Sequence, residues 1–158
     1  MISIADLAKI ALEPLKEQII QEYDRKGMRA SGDFAESLEI EGTFNGAVIK
    51  GNAYGEQLED GRGSTGKGHS GGDYLIDRIR EWIKVKNVVP KDGISEESLA
   101  WAITKKIHKE GWDRKDHGGV NLLSDAISDL EWDAAISIIA DEYTSVLVSG
   151  VINKYKVI

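Results

Sequence analysis

Apolar residues at Ile4, Leu7, Ala8, Ala11, Leu15, Ile19 and Tyr23 recur at steps of three and four, which predicts an amphipathic helix over residues 3 to 26. Pro14 lacks a backbone donor and crowds the preceding turn, so the helix is expected to kink there or to restart with Pro14 in its first turn. Lys26-Gly27 marks the exit. Ser31 is expected to cap a short helix through Glu36, after which the period drops to two. Leu38, Ile40, Gly42 and Phe44 then alternate with Glu39, Glu41 and Thr43 as a strand. Asn45-Gly46 favours a two-residue type I′ turn, and pairing outward from it sets Phe44 opposite Ala47, Gly42 opposite Ile49 and Ile40 opposite Gly51. All the apolar residues of that hairpin fall on one face.

Farther along, Tyr54 to Asp60 reads as a short helix, Gly61 to Gly72 as a glycine-rich loop, and Asp73 onward as a helix facing inward through Leu75, Ile76, Ile79, Trp82 and Ile83. Pro90 to Gly93 is a turn. Ser95 is an N-cap followed by Glu96 and Glu97 in the first turn, with Ile94 placed to staple onto Leu99. That helix presents Leu99, Ala102, Ile103 and Ile107 inward, gathers Lys105, Lys106 and Lys109 near its end, and stops at Gly111. Leu122 to Ile127 is a short apolar segment of open type. From Asp129, the residues Trp132, Ala135, Ile136, Ile139, Tyr143, Val146, Leu147 and Gly150 form an apolar helical stripe. The β-branched run within residues 144 to 152 leaves a strand open there. The pattern as a whole predicts an α+β fold in a single domain, residues 1–158. Amphipathic helices pack around a small antiparallel sheet containing a β-hairpin at about residues 38–52, with long N- and C-terminal helices.

Composition narrows the function. A chain of 158 residues, 41% hydrophobic and 30% charged with two prolines, is that of a folded globular protein. It contains no cysteine, which excludes disulfides, thiolate metal clusters and cysteine nucleophiles. The first residues carry Asp6, Lys9, Glu13 and Lys16 and so lack the apolar core of a signal peptide, and no later segment approaches ~20 apolar residues. The net charge of −7 is uneven: residues 1 to 60 hold 6 basic and 12 acidic side chains, residues 78 to 115 hold 10 and 6, and residues 116 to 158 hold 2 and 7. A sequence pI near 5.0 argues against a dedicated nucleic-acid binder.

Motifs that carry chemistry are present only in part. Gly61-Arg62-Gly63-Ser64-Thr65-Gly66-Lys67 follows a P-loop for seven positions, but Gly68 stands where the magnesium-binding hydroxyl belongs, and no buried strand precedes it. Gly68-His69-Ser70-Gly71-Gly72 matches a nucleophile elbow that also requires a preceding strand. His69, His108 and His117 lack the spacing that makes metal ligands converge, and Glu59-Asp60 and Asp141-Glu142 read as solvated carboxylates. Trp101 lies off the inward stripe of its helix and is a candidate for a subunit interface, where aromatic residues are enriched.

In order along the chain, Arg29-Ala30-Ser31-Gly32 leading to Ser37-Leu38, the hairpin, Tyr54-Gly55-Glu56-Gln57-Leu58-Glu59-Asp60-Gly61-Arg62, Ile79 to Trp82-Ile83, and Ala100-Trp101-Ala102-Ile103 through Gly111-Trp112 form a recognisable series. Over residues 25 to 112 this series resembles the head–tail connector and tail-completion (neck) proteins of tailed bacteriophages. The glycine-rich loop departs from the proline-containing connection of that family. The resemblance implies a structural virion protein that is not an enzyme, takes no cofactor, metal or small-molecule substrate, and has no membrane role. It implies a ring homo-oligomer that contacts neighbouring portal, adaptor or tail proteins, with genome DNA passing through unbound by sequence. Segregated charge suits head-to-tail pairing of subunits, and an acidic lumen lets DNA slide. Candidate interface residues are Arg62, Lys67, His69, Trp101 and Trp112, with the glycine-rich loop expected to be mobile in a free protomer and to make contacts in the assembly. A protein–protein interaction module outside the virion, or a hydrolase using Ser70, are the alternatives.

Overall fold

Ser3 opens the first helix with a capping box: its hydroxyl accepts the Asp6 amide at 3.1 Å, and the Asp6 carboxylate accepts the Ser3 amide at 3.3 Å. The computed structural model describes residues 3–65, 73–91, 93–114 and 119–155. Helix α1, Ile4–Arg25, runs unbroken through Pro14. The expected restart is therefore absent: Pro14 sits on the exposed side, and the carbonyl it deprives of a partner belongs to the exposed Ile10, where water can serve it. The apolar stripe is buried as the periodicity predicts, through Leu7, Ala8, Ala11, Leu15, Ile19 and Tyr23.

Helix α2, Asp33–Glu36, is capped by Gly32 in the left-handed region (φ 101) and not by Ser31, whose hydroxyl accepts the Asp33 amide at 3.4 Å from outside the helix. α2 delivers Phe34 onto Tyr23, with ring centroids 5.1 Å apart. Strands β1, Glu39–Thr43, and β2, Gly46–Lys50, pair antiparallel in the register Glu39↔Lys50, Ile40↔Ile49, Glu41↔Val48, Gly42↔Ala47 and Thr43↔Gly46.

The turn thus falls on Phe44-Asn45, one residue earlier than the Asn-Gly pair predicts. Neither Asn45 nor Gly46 has the positive φ that a type I′ turn requires. Phe44, expected inward opposite Ala47, stands fully exposed at the tip. Packing against α1 sets this register. Ile40 and Ile49 lie opposite one another, Ile49 joins the buried clusters, and Gly42 passes so close to α1 that a Cβ would lie 2.8 Å from Lys9 Cε. The change moves the pairs but keeps Ile40, Gly42, Ala47 and Ile49 on one face.

The remaining elements are helices: α3 Tyr54–Asp60, α4 Asp73–Val85, α5 Glu96–Glu110, α6 Leu122–Ala126 and α7 Asp129–Tyr155. Residues 144 to 152 are therefore helical, and the class is mixed helix with a small two-stranded antiparallel sheet. Ser95 caps α5 by accepting the Ser98 amide at 3.1 Å. Leu99 and Ile103 of α5 pack on the buried cluster as expected, but the most buried residues of the helix are Ala100 and Thr104, and Ala102, expected inward, is exposed. Thr104 satisfies its hydroxyl by donating to the Ala100 carbonyl at 2.8 Å, which lets a polar side chain take an inward position.

Buried side chains form three clusters. One gathers Ile19, Tyr23, Phe34, Leu58 and Leu122 around the end of α1. A second joins Ala11 and Leu15 of α1 to Ala135 of α7, and a third holds Ile76 and Ile83 of α4 against Ala100 of α5. Lys26 ties the first cluster together at its edge, its buried ammonium donating to Asp125 at 2.5 Å and to the Val120 carbonyl at 2.7 Å.

Candidate interaction surface

Helix α7 begins where Ser128 donates its amide to Glu131 at 2.9 Å, and the Ser128 hydrogen bonds hold the Glu131 carboxyl below the ordinary glutamate range. Ala135 and Ile139 then pack on Ala11, Leu12 and Leu15. From α6 into α7 the chain runs back along α1, because Leu122 and Ala126 of α6 meet Ile19 and Tyr23 while the later Ala135 of α7 meets the earlier Ala11 and Leu15.

Contact with α1 covers only one edge of the apolar stripe. Trp132, Ile136, Tyr143 and Leu147, expected inward, are exposed, Ile136 at 59% and Leu147 at 53%. Val148 and Ile152 are exposed on another side of the same helix. From Tyr143 to Asn153 the sequence carries no charged residue. An apolar helix of this kind is stable when something covers it, and uncovered apolar surface of this size marks an interaction site.

Single exposed apolar side chains also lie on α4 and α5. Arg80 clasps Glu97 and Asp77, with Nε to Glu97 at 2.9 Å and Nη1 to Asp77 at 2.5 Å, and this holds the Glu97 carboxyl below its usual range. Trp101 is 50% exposed, and Trp82 and Val85 of α4 are exposed as well. Lys84, Lys86, Lys105 and Lys106 make no ion pair among the described residues. A shallow depression beside Arg80, Ile83, Lys84 and Ser95 has its arginine already committed to Glu97 and Asp77. Among the described residues no group of three or more His, Asp or Glu side chains is placed to hold a metal ion.

Arg62 and Trp112 lie where the chain enters and leaves the α4–α5 hairpin. Their backbones exchange two hydrogen bonds, Arg62 N to Trp112 O at 2.7 Å and Trp112 N to Arg62 O at 2.6 Å. Gly61 and Gly111, the residues ending α3 and α5, adopt nearly the same left-handed conformation, φ 78 and 80. A Cβ on Gly61 would stand 2.6 Å from the Trp112 carbonyl oxygen, and one on Gly111 2.3 Å from that of Arg62. These glycines permit a close crossing of two backbones. Thr65 extends the contact, its amide donating to the His108 carbonyl at 2.8 Å and its hydroxyl lying 2.7 Å from His108 Nδ1.

Of the candidate interface residues, Trp101 is exposed. Arg62 is half-buried in the crossing, and Trp112 packs on the first cluster with the Arg114 guanidinium 6.0 Å above its ring. Burial lowers the Arg114 pKa. Lys67 and His69 lie outside the described residues, as do Ser70 and the part of the loop expected to be mobile. The structure thus brings Arg62 and Trp112 together and leaves Trp101 apart from them. The uncovered half of α7 was visible in the sequence as an apolar stripe. Nothing local, however, signalled that α1 would leave most of it bare. No helix of the described residues is long and apolar enough to cross a membrane. In comparisons with known proteins, the chain matches no family model, no curated protein and no solved structure.

Proposed function

We propose that this chain is a structural subunit that works by assembly, as a head–tail connector or tail-completion protein in the neck of a tailed phage. The observation that carries the assembly role is the exposure of Tyr143, Leu147, Val148 and Ile152 in an uncharged segment of α7, which needs a protein surface to cover it. The neck role is supported by the series of segments between residues 25 and 112 that resembles that family. In this reading the subunits form a ring between portal and tail in the virion, the role is not catalytic, and the DNA passes through the ring.

Light scattering of the purified chain, alone and mixed with the portal, adaptor or tail protein of the same phage, tests the reading. A defined ring, or a stoichiometric complex visible in the neck by cryo-electron microscopy, is expected. Monomers under both conditions would end it.

A further inference from the structure

We infer that the bare half of α7 in one copy docks on the α4–α5 hairpin of the next copy, a head-to-tail contact that uses two different faces of the same chain. This rests on the assembly role proposed above and specifies the surfaces involved. Three observations select the occupant.

The first is that both elements carry exposed apolar side chains: Tyr143 and Leu147 one turn apart on α7, and Trp101 on the hairpin. Tryptophan in such a position is the residue type that most often dominates binding energy. The second is charge. Between Asp129 and Asn153, α7 carries the carboxylates Asp129, Glu131, Asp133, Asp141 and Glu142 and no cation. The hairpin offers Lys84, Lys86, Lys105 and Lys106, none of them engaged in an ion pair among the described residues. Packing α7 in parallel on a second α7 sets carboxylates against carboxylates, whereas packing it on the hairpin sets them near lysines. The third is the form of the hairpin itself. Its cluster is built from α4, α5 and the connection between them, so its outer faces are free while its inner face is already closed.

A contact between unlike faces leaves one of each unsatisfied on every pair, so it propagates until the rotation closes a ring. Sedimentation velocity on the full chain at rising concentration tests this. Wild type is expected to pass beyond dimers. Leu147→Asp spoils the α7 face and Trp101→Asp spoils the hairpin face, and each is expected to weaken self-association at least about 30-fold, the size of a hot-spot loss.

An equimolar mixture of the two variants keeps one intact face of each kind, and it is expected to recover association but stop at the dimer. Circular dichroism checks that both variants fold, as their exposed positions predict. If either does not, charge reversal replaces it. Lys105→Glu with Lys106→Glu in one chain, and Asp141→Lys with Glu142→Lys in the other, are expected to associate poorly alone and well together.

Weakening by Leu147→Asp but not by Trp101→Asp, a mixture that fails to associate, or a wild type that stays monomeric would each overturn the head-to-tail contact. A complex formed with a neck partner under those same outcomes would leave the proposed assembly role standing. Failure of the one is therefore distinguishable from failure of the other.

Discussion

Around α1, a buried side chain has neighbours from parts of the chain far apart in sequence: Ile19 and Tyr23 share a cluster with Phe34, Leu58 and Leu122. In the α4–α5 hairpin, Ile76 and Ile83 meet Ala100 and residues between or beside them in sequence. The first arrangement ties distant segments into one cooperative unit, while the second is a local unit held to the rest chiefly where the chain enters and leaves it. The contrast extends to the charged groups. Lys26 reaches Asp125 across the body, whereas Arg80 serves Asp77 and Glu97 within the hairpin, and the hairpin's longer link to the body, Arg78 to Asp33, is 3.7 Å and exposed.

The sharpest way to break this comparison is to cut the same kind of side chain in both regions. Leu15→Ala removes a side chain only 1% exposed at the α1–α7 contact and is expected to cost about 3–5 kcal/mol in global stability, read by denaturant unfolding. Ile83→Ala, at 2% exposed, is expected to cost about 2–4 kcal/mol but to act locally. Hydrogen exchange should quicken in α4 and α5 while the amides of α1 keep their protection. Equal loss of protection in both regions would mean that the hairpin is an integral part of the body.

A smaller effect separates two glycines. Gly111→Ala combines a left-handed φ of 80 with a collision against the Arg62 carbonyl oxygen, and it is expected to cost about 2–3 kcal/mol. Gly93 has φ 71 but open space around it, so Gly93→Ala is expected to cost about 1–2 kcal/mol from the backbone conformation alone. Equal costs in thermal melts would show that the crossing gives way.

The smallest effect is on pH dependence. Glu22 accepts two hydrogen bonds from Arg25, which hold its carboxyl below the ordinary glutamate value of 4.5. A lowered carboxylate pKa contributes stability that is present above 4.5 and is lost as pH falls through the folded value. Because Arg25 is largely exposed, the contribution is expected to stay under about 1 kcal/mol. Glu22→Gln should flatten that part of the acid limb, and an unchanged acid limb would assign it to other carboxylates.

What the sequence made legible was local chemistry. The α1 stripe, the α3 boundaries and the Ser95 cap follow from spacing and capping within a few residues. The hairpin was legible as a hairpin, but its register was not, because the Asn-Gly preference is weaker than the demand that Ile40 and Ile49 cover α1 together. The face of α5 was legible through Leu99 and Ile103 but not the inward place of Thr104, which bonds to its own helix and so tolerates burial while Ala102 stays exposed. For the interaction surface, Trp101 was legible as a residue off its stripe. The exposure of Ile136, Tyr143 and Leu147 was not, since it depends on how much of α7 a distant helix covers. Gly111 read as a helix stop and Gly61 as the start of a loop. Their mutual crossing pairs residues some fifty positions apart, and no window of sequence contains both.

That crossing has a topological meaning. The chain leaves the body at Arg62 and returns at Trp112, and those two residues are joined by a pair of short hydrogen bonds. Everything between is a closed excursion whose two ends meet at a single point. An excursion of that kind can be deleted and its ends rejoined by a short linker, or exchanged for another of different length, while the polypeptide on either side keeps its path. The part of the chain that presents Trp101 thus begins and ends at the same crossing.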